Sequence, residues 1–293
     1  MPPDCNSRGV ADCHLTLNYD AWPMADGVII ADHLTRRFGS FTAVRDVSFS
    51  VPLGSMRILL GASGAGKSIV LKLILGLIRP DSGTILVNGQ RVDDMSERNL
   101  NAIRSDIGMS FQETALFDSL TVAENVVYRL YEETDTPLDQ VRGRVAEVLG
   151  FIGLGDYIDR MPSELSGGQR RRVAIARAMA SKPRLLLFDD PTTGLDPITA
   201  ATVNDEIVKL RDLEHVTSVL VTHQIRDAHY VALHTATQDA AGVVRILETE
   251  HEEHARFLVP HEGRIFFEGT MSELFASHDS YLREFLFMTL PPW

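Results

Sequence analysis

Between an apolar run at 56–60 and a run of helical spacing at 69–77 the chain carries Gly61-Ala62-Ser63-Gly64-Ala65-Gly66-Lys67-Ser68. This order of strand, glycine-rich loop and helix constrains the fold more than any other feature. The glycines let the backbone wrap an anion with its N–H groups turned inward, Lys67 reaches the outer phosphates of a nucleotide, and the Ser68 hydroxyl ligates Mg²⁺.

A second glycine pair lies farther along, in Leu165-Ser166-Gly167-Gly168-Gln169. Ser166 and Gln169 have the spacing of a capping box that opens a helix over 169–180. The cap needs only those two residues, whereas adjacent glycines weaken a first helical turn. What the glycines supply is bare N–H groups at a helix N-terminus, where a phosphate binds. A third element, Leu185-Leu186-Leu187-Phe188-Asp189, is an apolar strand that delivers a carboxylate to the sheet edge. Beside a phosphate loop, Asp189 is expected to hold Mg²⁺, directly or through water. Taken alone it reads equally as a turn aspartate.

The 293 residues suffice for one large domain with an appended lobe. A formal charge of −12 argues against nucleic acid as a partner, because backbone-phosphate binding relies on clustered Lys and Arg. Cys5 and Cys13 both fall in the N-terminal tail, as expected of a cytosolic chain that does not use disulfides. No stretch approaches the ~18 consecutive apolar residues that span a membrane. The start, Met1-Pro2-Pro3-Asp4, lacks the basic region and apolar core of a secretory signal, and residues 1–26 read as a poorly ordered extension.

Short apolar runs at 28–31, 47–51, 56–60 and 84–87 read as strands, the last followed by the turn signal Asn88-Gly89. Residues 119–180 are mostly helical and break at Met161-Pro162, so they read as a lobe inserted in the core. Strands at 184–188 and 216–222, joined by a helix at 198–213, have the βαβ rhythm of a parallel sheet. A last strand at 264–267 ends at Gly269, and 271–293 reads as one short helix plus an apolar tail.

With these motifs in this order, residues 27–272 resemble the ATP-binding cassette, or ABC, ATPases. The resemblance implies an α/β fold of the P-loop NTPase type, with a mixed β-sheet core at 27–270, a helical subdomain at about 116–180 and a tail at 271–293. It implies ATP hydrolysis, with ATP and Mg²⁺ as cofactors. In the family the residue after the metal-binding aspartate is usually Glu, the base that orients and deprotonates the attacking water. Here it is Asp190, one methylene shorter, which can work if the backbone sits closer or a second water relays the proton. On that reading Asp190→Asn abolishes hydrolysis and Asp190→Glu is tolerated or faster. The alternative is that Asp190 only caps the Pro191-Thr192 turn.

Gln112 falls where the family places a glutamine that touches Mg²⁺ or the attacking water, which makes Ser68, Gln112 and Asp189 the implied metal set. His223 matches the switch histidine that bonds the γ-phosphate and fixes the base, and Asp196 matches a loop touching the partner subunit. Phe38 stands where an aromatic stacks on adenine, a contact that reads the base weakly and leaves GTP open. The phosphate bound by Ser166, Gly167, Gly168 and Gln169 then belongs to ATP on the other subunit, so that a two-fold homodimer encloses two ATPs. Arg170, Arg171 and Arg172 are expected to be the solvated, phosphate-facing start of that helix.

Segments 115–126, 161–168 and 191–200 look like the Mla/Mce-type lipid-transport ATPases, with Asp196-Pro197-Ile198-Thr199 weighing most. That likeness implies a membrane permease, an Mce-domain lipid-binding protein and a place on the cytoplasmic face of the inner membrane. The permease is expected to dock around 113–130, with Phe117 and Leu120 as contacts. Other ABC importers or exporters, such as those for polar amino acids, stay open, and so does a non-transport ABC protein. An insertion at about 235–256 exceeds what a short connection needs. Its His251-Glu252-Glu253-His254 spaces the histidines i,i+3, whereas a zinc-protease helix uses i,i+4, and a solvated acidic helix accounts for it.

Overall fold

Apolar strands without polar alternation need cover on both faces. The computed structural model describes residues 27–133, 137–249 and 254–289. The chain begins with the antiparallel pair β1 (Gly27–Phe38) and β2 (Phe41–Pro52), followed by β3 (Met56–Leu60) and α1 (Lys67–Ile74). Next come β4 (Ser82–Val87), β5 (Gln90–Arg91), α2 (Glu97–Arg104) and β6 (Ile107–Ser110). The lobe is formed by α3 (Val122–Glu133), α4 (Leu138–Phe151) and α5 (Gly167–Met179). The core resumes with β7 (Leu185–Asp189), α6 (Pro197–Asp212), β8 (Thr217–Thr222) and α7 (Ile225–Leu233). Finally β9 (His234–Gln238), β10 (Val244–Glu248), β11 (Ala255–His261), β12 (Arg264–Gly269), α8 (Met271–Ala276) and α9 (Ser280–Thr289) complete the chain.

The central sheet runs β12-β11-β3-β8-β7-β6, parallel throughout except for β12 at one edge. Successive side chains of a strand point to opposite faces. Met56, Ile58, Leu60, Leu186, Phe188 and Leu220 enter a core shared with the lobe helices. Leu59, Leu185, Leu187, Val219 and Val221 enter a second core with α1 and the smaller sheet β2-β1-β4-β5. Two covered faces are why these runs read as largely apolar segments without regular alternation. Phe188 is 1% exposed, and burying a side chain of that size contributes roughly 1.5–3 kcal/mol.

The structure adds elements that the sequence reading does not contain. The strand β6 is too short, and its Gly108 and Ser110 too unlike an apolar run, to stand out, and β11 carries Pro260. In its described part the insertion is an antiparallel hairpin, β9 with β10, tied to α6 where the Asp212 carboxylate accepts from Ala236 N–H at 2.7 Å and Thr235 Oγ1 at 3.1 Å. The core strand β11 begins at Ala255, paired with Met56, so residues 255 and 256, expected in the insertion, belong to the central sheet. His251, Glu252 and Glu253 lie outside the described residues, as does the extension 1–26 with Cys5 and Cys13. The tail forms two helices where one was expected, because Leu282, Phe285 and Leu286 find cover in the core. Among the described residues no helix is long and apolar enough to cross a membrane.

Candidate active site

Register decides which residues meet. Leu60 pairs with Thr222, Asp189 with Val221, and Ser110 with Phe188, so β3, β8, β7 and β6 all end on one edge of the sheet. The ladder extends one residue past β3 and β7, with Gly61 N–H donating to Thr222 O at 3.3 Å and Asp190 N–H to Val221 O at 2.8 Å. The phosphate loop, Asp190, His223 and the segment holding Gln112 therefore leave the sheet together.

In the loop, Gly66 caps α1 at φ 90°, a conformation open to glycine, and a Cβ there would lie 2.3 Å from the Ala43 carbonyl oxygen. Lys67 is buried, and its ammonium donates to Gly61 O at 2.7 Å and Ala62 O at 2.9 Å. Burial lowers its pKa, and Asp190 and Asp189 partly offset the shift. The Ser68 hydroxyl donates to Asp189 Oδ1 at 3.0 Å, and burial raises the Asp189 pKa.

Asp190 sits at φ 45°, a left-handed conformation that Asp and Asn tolerate better than most residues. Its Oδ1 takes two hydrogen bonds from one residue, His223 Nδ1 at 2.8 Å and His223 N–H at 3.1 Å. Two residues on, buried Thr192 donates from its hydroxyl to buried Asp227 of α7, which fastens the turn after Asp190 to the helix after His223.

The capping box forms as the spacing predicts: Ser166 Oγ accepts from Gln169 N–H at 3.2 Å and Gln169 Oε1 from Ser166 N–H at 2.8 Å. With the third N–H of the helix used, those of Gly167 and Gly168 are the ones without an intrahelical partner. Gly168 has a packing role as well. A Cβ there would lie 2.1 Å from Thr199 Cγ2 of α6. Gly168→Ala is therefore expected to cost about 1–3 kcal/mol and lower the melting temperature by about 5 °C. Adding Thr199→Ser, which removes Cγ2 and keeps the hydroxyl bonded to Asp196, is expected to restore most of it. Equal melting temperatures for wild type and Gly168→Ala in a thermal melt would refute this packing account.

The three arginines after the glycines are not a solvated face. Arg170 Nη1 donates to Leu165 O at 3.0 Å and Arg172 Nη1 to Ile152 O at 2.9 Å. Arg171 reaches Phe111 O at 3.3 Å and Thr193 O at 3.0 Å. Helix α5 lies close enough to these segments that the guanidinium groups reach their backbone carbonyls, and all three arginines are only partly exposed. Among the described residues no hydrogen bond joins 165–169 to the phosphate loop of the same chain.

A family model described as ABC transporter matches residues 44–193, just over half of the chain. The chain belongs to the ABC transporter family. Among its relatives, the "Sulfate/thiosulfate import ATP-binding protein CysA" of Gloeobacter violaceus is 37% identical over 88% of this chain and 74% of its own length. The "Methionine import ATP-binding protein MetN" of Bifidobacterium longum is 40% identical over 75% of this chain and 57% of its own. The "Probable ribonucleotide transport ATP-binding protein mkl" of Mycobacterium tuberculosis is 36% identical over 72% and 59%. The chain thus spans less than two thirds of the last two. A dimeric post-hydrolysis state of the ATP-binding cassette MJ0796, bound to ADP and Pi, superposes with a TM-score of 0.68 at 28% identity, covering 83% of this chain and 98% of the other. The α/β cassette fold of an ABC ATPase is thereby established for this chain.

The remaining cassette positions are placed as follows. Gln112 is exposed, two residues past the end of β6. Asp196 caps α6, accepting from the N–H groups of Ile198 and Thr199 at 3.1 Å, and the Thr199 hydroxyl bond, with those to the backbone, lowers its pKa. Phe38 ends β1 at 44% exposure, with the Arg36 guanidinium 4.9 Å above its ring. A cavity of about 440 Å³ beside the phosphate loop is lined by Phe41, Thr42, Ala43, Gly64, Ala65 and Gly263 among others, so the aromatic in its lining is Phe41 and not Phe38. The sequence reading missed Phe41, Thr192, Asp227 and the two-sided role of Arg171. Only the Thr192 turn carried any sequence signal.

Proposed function

We propose that two copies of this chain form the ATPase of a membrane transporter and enclose two ATPs between the phosphate loop of one and Ser166, Gly167, Gly168 and Gln169 of the other. The observation that carries this reading is the sheet register, which supports a single edge holding the phosphate loop, the Ser68–Asp189 pair and the Asp190–His223 pair. ATP lies with its phosphates against 61–68 and its base on Phe38. Lys67 exchanges the Gly61 and Ala62 carbonyls for the β- and γ-phosphates.

The donors fit Mg²⁺. A hydroxyl and a carboxylate are hard oxygen ligands, and a carboxylate whose pKa burial has raised is stabilised by a cation. Ser68, Asp189 and the Gln112 amide oxygen would hold the ion, which neutralises charge on the phosphate oxygens. Asp190 uses Oδ1 to hold His223 and presents Oδ2 to the attacking water, whose proton it accepts. His223 turns its other ring nitrogen to the γ-phosphate. Ser166, capped through its oxygen, keeps its hydroxyl hydrogen for the phosphate of the partner site.

The permease docks on the segment around 113–130, where Phe117 is 42% exposed and packs against Tyr128 with ring centroids 4.5 Å apart and planes tilted by 42°. Fully buried Asn125 shapes this segment: its Oδ1 accepts from Phe117 N–H, and its Nδ2 lies 3.0 Å from the carbonyls of Phe117, Leu120 and Thr121. On this reading the chain sits on the cytoplasmic face of the inner membrane, held there by the permease. The likeness of 115–126, 161–168 and 191–200 to Mla/Mce-type ATPases supports lipid, or another hydrophobic molecule, as the cargo, with an Mce-domain protein as partner. A second reading, import of a small solute, is favoured by the match to a sulfate/thiosulfate import protein across 88% of the chain. Tagged protein purified from detergent-solubilised membranes is expected to bring down a multi-spanning permease and an Mce-domain protein. Recovery of a periplasmic solute-binding protein instead would decide for the second reading.

A further inference from the structure

We propose that Arg171 is a positioning residue that ties the Gln112 segment to the Asp190 turn, so that nucleotide at one is registered by the other. The proposal rests on the roles given above to Gln112 and Asp190. Arg171 stands on α5, the helix opened by Ser166-Gly167-Gly168, and its two terminal nitrogens bond in different directions. Nη1 donates to the carbonyl of Phe111, the neighbour of Gln112, at 3.3 Å, and Nη2 donates to the carbonyl of Thr193 at 3.0 Å. Thr193 N–H in turn donates to Asp190 O at 3.2 Å and closes the turn on Asp190 itself. Hydrogen bonds on both sides of the Thr193 backbone thus connect Asp190, through one guanidinium, to the peptide that precedes Gln112.

The guanidinium is a rigid planar fork, so it fixes the separation of the two carbonyls in a way that a flexible single donor cannot. The far end of the same segment is held from the same helix. Arg177 donates to Thr114 O at 3.0 Å and Ala115 O at 2.6 Å, and both residues sit at positive φ, 56° and 51°, where non-glycine backbone needs outside support. Between these clamps Phe111, Gln112 and Glu113 are exposed. The segment is thus fastened to α5 at both ends and open to solvent in the middle. Of these two arginines, Arg171 is the one that also bonds the Asp190 turn. A displacement of that turn when the site fills is therefore passed to Gln112, and a displacement of the segment by a docked partner is passed back.

Hydrogen exchange of the full-length protein, with and without MgATP, tests this in the Asp190→Asn background. ATP is expected to slow exchange across 111–117, and Arg171→Met, which keeps an apolar stem and loses both bonds, is expected to abolish that response while ATP affinity is unchanged. With Asp190 intact, Arg171→Met is expected to lower kcat about tenfold with KM for ATP unaltered. Arg171→Lys, a single-point donor, is expected to recover less than half of the response. A helix-packing role alone would raise exchange along α5 and leave the ATP response of 111–117 in place. Persistence of that response in Arg171→Met, or of the full wild-type response in Arg171→Lys if the former does not fold, overturns the proposal. Normal hydrolysis by Asp190→Asn alone would overturn the underlying site reading instead, and this proposal with it.

Discussion

Asp190→Asn is expected to reduce ATP hydrolysis by about 10²–10⁴-fold while leaving ATP binding intact. The substitution is clean because the geometry at 190 suits both residues. Asn tolerates the φ of 45° as Asp does, and its amide oxygen still accepts from His223 N–H, so the turn keeps its shape. What it loses is the basic oxygen facing water. Phosphate release and nucleotide binding measured on the same preparation separate these effects, and wild-type turnover would remove Asp190 from the mechanism. Asp190→Glu is expected to stay active, within about tenfold of wild type, since the longer reach brings the carboxylate toward the water at the expense of the His223 bond. It carries a backbone cost as well. Glu at positive φ is disfavoured by about 1 kcal/mol, which lowers the melting temperature by about 2–4 °C. The short residue is therefore matched to its left-handed backbone.

Ser166→Arg is expected to bind ATP at the phosphate loop and yet form no ATP-dependent dimer. The two functions lie on opposite partners of the proposed site, and among the described residues no hydrogen bond links the two segments within one chain. Arg at 166 also removes the helix cap, worth about 1 kcal/mol, so a frayed α5 is a competing cause for loss of the dimer. Ser166→Asp separates the causes, because Asp caps a helix as well as Ser does but sets a negative charge against the γ-phosphate. Both variants are expected to run as monomers in size-exclusion chromatography with MgATP, in the Asp190→Asn background, where Ser166 intact is expected to give a dimer. A dimer formed by Ser166→Asp would show that the segment does not meet nucleotide.

Much of the site is legible in the sequence because its parts are local. Gly66, Lys67 and Ser68 act at the start of one helix, and Ser166 and Gln169 cap another within four residues. The arginine run misled for a physical reason. Three charges in a row on a helix read as solvated, but a long apolar stem lets each guanidinium reach carbonyls at the ends of neighbouring segments, and those ends have no signature in spacing. The hairpin at β9 and β10 was hidden likewise, since its inward Val244 and Ile246 give only a weak alternation beside exposed Arg245 and Leu247.

By itself the sequence determined the strand–loop–helix that cradles phosphate, the capped glycine pair and the carboxylates at the end of an apolar strand. Each depends on backbone geometry over a few residues. Only the tertiary structure decided which of them meet: Ser68 with Asp189 across 121 residues, Asp190 with His223 across 33, and Arg171 between two segments on either side of its helix. Those pairings follow from strand order and from the packing of α5 against the sheet, which are set by burial of the whole core rather than by any local run of residues.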